Sequence, residues 1–257
     1  MAKSKPNTTE TATEIILVEK GTIDLCVIGT SPIILNRMSE KAKHELLMPK
    51  GRKTAAEKAT SLKHDPMEEF RASAYTLGAD APTKLAILAT SFKGAMATAA
   101  LDLPGAKKAQ IGRLTYVNGE KVPVYGVPKL FMSIVRSADM NKTPDVRTRA
   151  IVPQWACRLS VTYIKPLMRP AAVTNLLAAA GLSIGVGDWR PEKGKGNYGQ
   201  FEIVAETDAR FRAIIASGGR DAQIAALESP GCYDDETTEL LSWFEDERSK
   251  RQLRGVA

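Results

Sequence analysis

The stretch Gly181–Phe201, GLSIGVGDWRPEKGKGNYGQF, constrains this chain most. It packs six glycines between an alanine- and leucine-rich helical run and the short apolar strand FEIVA. Glycine at that density admits positive φ and lets backbone N–H groups come close to an anion. Arg190, Lys193 and Lys195 add charge there, and Trp189 and Tyr198 offer flat faces for an unpaired base. The same composition also suits a solvated surface hairpin whose lysines serve only solubility.

At 257 residues the chain is long enough for one large domain or two modest ones. A net charge of +7 and a pI near 9.3 favour polyanionic partners. Cys26, Cys157 and Cys232 lie far apart with no C-x-x-C spacing, which implies neither a zinc site nor a disulfide framework and fits a reducing cytoplasm. The opening residues, MAKSKPNTTETATE, are polar, and no apolar run is long enough to span a bilayer, so no membrane partner is expected. Residues 1–14 read as a disordered tail.

Alternation from Thr22 to Ile28 predicts a first strand, followed by the turn Gly29–Pro32 and an extended segment that ends at Arg37. Residues 39–63 are basic and alanine-rich, including Lys50, Arg52 and Lys53, and read as an inserted helical segment, either solvated or touching a nucleic-acid backbone. His44 and His64 stand alone and read as surface or packing residues. Apolar spacing predicts a helix over 65–77, and Thr90-Ser91 is a plausible cap for a second, SFKGAMATAAL, which carries Lys93 in its first turn.

Residues 105–122 read as loop and weak strand, with Asn118-Gly119 as a hairpin turn. Two strand-like runs, 124–136 and 147–164, flank the polar segment 137–146 and suggest a long β-hairpin with a projecting tip. The second run carries Arg147, Arg149, Trp155 and Arg158, and side chains two apart share a face, which suits a nucleic-acid platform; Trp155 equally suits a core. A helix over 170–180 with Gly181 as its cap, a strand over 200–205 and three helical pieces, 208–216, 221–227 and 236–254, complete the chain. Leu240, Leu241, Trp243 and Phe244 give the last an apolar face that must pack on the body or on a neighbour.

The order is βαββαβ, the α+β arrangement of a ferredoxin-like fold, in which two helices cover one face of an antiparallel sheet and leave the other free for a ligand. The expected organisation is a tail (1–14), a core (15–205) with an insertion at about 38–80, and a C-terminal helical extension (206–257). The RNP1 motif of an RRM is not present.

Three segments in this order, Ser31-Pro32-Ile33, Thr90-Ser91-Phe92-Lys93-Gly94-Ala95 and Gly185-Val186-Gly187 to Gly196-Asn197-Tyr198-Gly199-Gln200-Phe201, resemble the RAMP superfamily, the guide-RNA-binding backbone subunits of CRISPR effector complexes. The resemblance covers residues 20–205. It implies a protein that polymerises along a single strand, with Lys93, the glycine-rich loop and Arg37 at the phosphates, residues 39–63 as fingers and 137–146 as a thumb. It also implies RNA rather than DNA as ligand, copies of itself and other effector subunits as partners, and a role in antiviral defence. No cofactor is expected, and no paired carboxylates, metal cluster or activated nucleophile can be assembled, so the chain reads as non-catalytic. Competing readings are a phage protein that coats or anneals single-stranded DNA, a metal-dependent nuclease centred on Asp145 or Asp188, and a virion or scaffold component whose basic surface is incidental; the resemblance also lets Asp139 or Asp145 stand for the loop acid of target-cleaving subunits.

Overall fold

In the computed structural model, which describes residues 15–37, 47, 64–136, 144–193 and 196–254, the central strand β1 (Glu19–Gly29) is paired on both edges. Strand β9 (Ala156–Lys165) runs antiparallel along it from Glu19↔Lys165 to Ile28↔Ala156. Strand β10 (Phe201–Val204) takes the other edge between Cys26 and Gly29. Beyond β9 lies β5 (Thr115–Val117), giving the order β10-β1-β9-β5. Helix α2 (Ala89–Ala99) falls between β1 and β5 in the chain, and α4 (Pro170–Ala179) between β9 and β10. Counted among these four strands, the sheet order is fourth, first, third, second, all antiparallel: the α+β, ferredoxin-like core.

The helices pack where their apolar positions dictate. Phe92, Ala95, Met96 and Ala99 recur at three- and four-residue spacing on α2 and are all buried, and the alanines let the helix lie close to the sheet. Val173, Leu176 and Leu177 do the same for α4, which has Pro170 in its first turn. Helix α4 does not stop at Gly181. It widens into a π-turn, Ala180–Ile184, and closes at Gly185 (φ 72°); Gly181 is needed inside that turn, where a Cβ would come within 2.0 Å of the Phe201 carbonyl oxygen.

Two smaller sheets flank the core. One has the order β2-β8-β7, from β2 (Ile33–Ile34), β7 (Lys129–Arg136) and β8 (Pro144–Val152). The other has the order β3-β4-β6, from β3 (Tyr75–Thr76), β4 (Leu85–Leu88) and β6 (Lys121–Pro123). Helix α1 (Pro66–Ala72) packs on β8, and α3 (Lys108–Leu114) beside α2.

The expected long hairpin exists as β7 and β8, but it is not the central pair of the core. The run 147–164 divides at Pro153–Trp155: β8 stays in the flanking sheet and β9 enters the core sheet. Pro153 has no N–H to give a ladder, and Trp155, fully buried, donates Nε1 to the Ser31 carbonyl at 2.9 Å and packs edge-on against Phe201. Trp155 is therefore core. The second core strand is β5, from the segment expected to be mostly loop. The turn at Asn118-Gly119, with Gly119 at φ 82°, joins strands of different sheets, since β5 pairs β9 while β6 pairs β4.

The sheet face opposite α2 and α4 is also not fully free. Helix α5 (Ala209–Ser217) lays the fully buried Phe211 against Ile28 and Ala156. Helix α6 (Arg220–Glu228) inserts Gln223, also fully buried, whose Oε1 accepts from the N–H groups of Lys84 and Leu85 and whose amide nitrogen donates to the carbonyls of Val124, Gly126 and Gly218. Helix α7 (Asp235–Arg254) docks on β7, Thr237 Oγ1 accepting from Met132 N at 3.2 Å. Leu240 and Leu241 pack on the core, whereas Trp243 is 66% exposed. Among the described residues no helix is long and apolar enough to cross a membrane. The tail 1–14, the basic segment 39–63 apart from Leu47, and residues 137–143 at the hairpin tip lie outside the described residues.

Gln223→Leu keeps the volume and strips five backbone partners at once. Equilibrium denaturant unfolding should show a loss of at least about 3 kcal/mol, since each buried backbone group left unpaired costs about 1–3 kcal/mol; a loss below about 1 kcal/mol would show that water replaces the amide.

Candidate nucleic-acid interface

The glycine-rich stretch folds down onto the chain that leaves β1. Gly199 N–H donates to the Pro32 carbonyl at 2.8 Å, Asp188 N–H to the Ile34 carbonyl at 2.9 Å, and Val186 N–H to the Gly199 carbonyl at 2.9 Å. Ser31 Oγ accepts from Gln200 N–H at 3.0 Å. Glycine is required because the backbones touch: a Cβ at Gly199 (φ 73°) would come within 1.7 Å of the Val186 carbonyl oxygen, and one at Gly187 (φ 85°) within 2.7 Å of that of Ile34. The N–H groups of Gly185, Val186, Asp188, Tyr198 and Gly199 are thus consumed within the protein. The loop is built by backbone packing, and these groups do not form the open anion cradle that its composition suggests.

A buried guanidinium fixes the loop from the other side. Arg149 on β8 is only 3% exposed; it pairs with Asp188, donates to Ser133 Oγ at 2.9 Å, and lies 4.6 Å from the centre of the Trp189 ring. Burial pulls its pKa below the usual arginine value, and the neighbouring Asp188 carboxylate opposes that. Trp189 sits at φ 50°, a region a bulky residue adopts only when its surroundings hold it there. Phe131, Tyr198 and Tyr233 complete this cluster, with Phe131 edge-on to both Trp189 and Tyr233. Trp189 and Tyr198, expected to face a ligand, are half-buried in it, and Arg149, expected on a strand-facing platform, is turned inward.

On the far side of the loop opens a cleft of about 330 Å³. Leu35 and Asn36 after β2, Tyr75 of β3, Ile87 of β4, the α2 face Thr90, Ser91, Gly94 and Thr98, and the loop residues Val186 to Asp188, Arg190 and Glu192 line it. The three segments singled out in the sequence therefore meet: residues 31–33 anchor the loop, the loop forms one wall, and the start of α2 forms another. Arg190 is held by Glu192 at 2.8 Å and by the Gly187 carbonyl at 2.9 Å, and Asn36 donates to Asp188 at 3.2 Å. Arg37 is not among the lining residues; its guanidinium lies 5.8 Å from the Tyr75 ring centre.

The other expected contacts are dispersed. Lys93 points away from the cleft, its ammonium 4.5 Å from the Tyr116 ring centre on β5. Arg158 lies on the opposite sheet face, paired with Glu206 at 2.9 Å. Lys193 and Arg147 are exposed. Lys50, Arg52, Lys53 and Lys195 lie outside the described residues, as do His44 and Asp139. Asp145 is engaged by His64, whose Nδ1 is 2.8 Å from Glu69 and whose Nε2 is 3.0 Å from Asp145, so this histidine ties α1 to the hairpin. Among the described residues no three His, Cys, Asp or Glu side chains gather as a metal site. The sequence reading missed Asn36, Tyr75 and Glu192; a usable signal was the small polar face Ser91, Gly94 and Thr98 on α2.

No protein-family model matches the sequence, and no curated protein matches it. Among solved structures the chain is similar to Cmr6 from Pyrococcus furiosus, with 9% identity and a TM-score of 0.35 over 72% of this chain and 98% of that one.

The Arg149–Asp188 pair is asymmetric, because Asp188 keeps 25% exposure and Arg149 almost none. Asp188→Asn should therefore cost more in denaturant unfolding, about 3–5 kcal/mol, than Arg149→Met, since it strands the buried charge. Equal costs would contradict this. His64 is raised above its ordinary range by its hydrogen bond to Glu69, with Asp145 adding to the effect and partial burial opposing it. A folded pKa above the unfolded value of about 6.5 means that the stabilisation is complete below that pH and fades as pH climbs through the raised value. Melting temperature measured from pH 6 upward should fall across that window, and His64→Gln should flatten the fall; an unchanged profile would remove His64 as its source.

Proposed function

We propose that the protein is a non-catalytic single-strand nucleic-acid-binding subunit of RAMP type, which takes RNA in preference to DNA and assembles side by side along the strand. The observation that carries this reading is that, on a ferredoxin-like core, residues 31–33 anchor the glycine-rich loop while that loop and the start of α2 line one cleft. Each resembles a RAMP segment in sequence. The surplus of positive charge supports a polyanionic ligand. A guide RNA within a CRISPR effector complex is the partner this reading favours, with further copies of the chain and other effector subunits beside it. The sheet's outer face is a poorer strand surface: Glu202 and Glu206 pair with Arg210 and Arg158 there, Asp24 lies beside them, and α5 covers one end.

Fluorescence anisotropy with matched RNA and DNA oligonucleotides across a salt series tests this. The expected outcome is tighter binding to RNA, an affinity that falls steeply with salt, and stoichiometry that grows with strand length. DNA bound as tightly as RNA would favour the single-stranded DNA coating reading, and binding to neither would overturn the proposal.

A further inference from the structure

We infer that the cleft beside α2 is a receptor for one unpaired nucleobase of the bound strand, and not a phosphate site; this rests on the strand-binding reading above. Its charges are already satisfied: Arg190 by Glu192 and the Gly187 carbonyl, and Asp188 by Arg149 and Asn36. Among the described residues no lysine lines it. Among them a phosphate placed there would find no uncommitted cation, and would sit against two carboxylates. An uncharged planar ring finds the opposite: apolar walls from Leu35, Ile87 and Val186, and the aromatic ring of Tyr75.

Polar groups are placed for the edge of such a ring. Ser91 and Thr98 of α2 and Asn36 of the segment after β2 are among the cleft's lining residues, the Asn36 amide nitrogen also donating to Asp188. Its volume is at the small end for a ligand site, which suits one base and excludes a continuous strand.

The structure supplies a clean way to block the cleft. Gly94 lines it, and a Cβ there would meet nothing within 4 Å, so Gly94→Leu starts its side chain in open space beside the cleft. Circular dichroism melting confirms that this variant folds. Binding is then compared for oligouridylate and a strand of the same length and backbone with abasic sites. Wild type should prefer the base-bearing strand roughly tenfold, and Gly94→Leu should bind both strands alike, at the weaker level. Equal binding of the two strands by wild type, or a preference that survives Gly94→Leu, would overturn the receptor while leaving strand binding intact. Failure to bind either strand would overturn strand binding, and the receptor with it.

Discussion

A buried arginine holds the architecture around the cleft together. Arg149 has lost nearly all its water, and the Asp188 carboxylate, the Ser133 hydroxyl and the face of Trp189 offset part of that loss while its Nε stays unpaired. These partners come from the glycine-rich loop and from β7, so one side chain fastens the loop to a flanking sheet. The loop's own hydrogen bonds to Pro32 and Ile34 then fasten it to the end of β1. The cleft wall is a by-product of that double attachment. Asp188 shows the economy of the arrangement, since its carboxylate meets Arg149 and Asn36 and also lines the cleft.

The C-terminal helices narrow what one sheet face leaves open. By placing Phe211 over Ile28 and Ala156, α5 closes part of the face that a ferredoxin-like sheet otherwise presents. Gln223 of α6 joins the β4 edge to the segment after β6 through five backbone hydrogen bonds, which steadies the strand that leads into α2. The rest of that face stays open around Asp24, Arg158 and Glu206, and the cleft at the start of α2 lies on the other side of the sheet.

Much of the fold was legible because its signals are local. The alternation in β1, the spacing of Phe92, Ala95 and Met96 in α2, and that of Val173, Leu176 and Leu177 in α4 each specify an element and its buried face. The division of the 147–164 run was not, since an uninterrupted β pattern does not announce a change of sheet, and Pro153 was its only mark. Strand β5 is three residues long and owes its existence to pairing with β9, a distant contact that no local pattern encodes. The cleft was half legible. The three segments were visible, but composition shows that glycines let something come close without showing what: here it is other backbone. Arginines likewise look alike in sequence, whether buried like Arg149 or exposed like Arg147.

The cleft sets Leu35, Ile87, Val186 and Tyr75 against polar and charged neighbours, and Arg37 lies beside the Tyr75 ring. The central claim is that nucleic acid occupies this side and not the outer face of the sheet. Ultraviolet crosslinking of bound RNA, followed by mass spectrometry of the crosslinked peptides, measures that directly. The account predicts crosslinks at Tyr75, at 90–98 and at 187–193; crosslinks confined to Cys26, Arg158 and the strand 201–204 would contradict it.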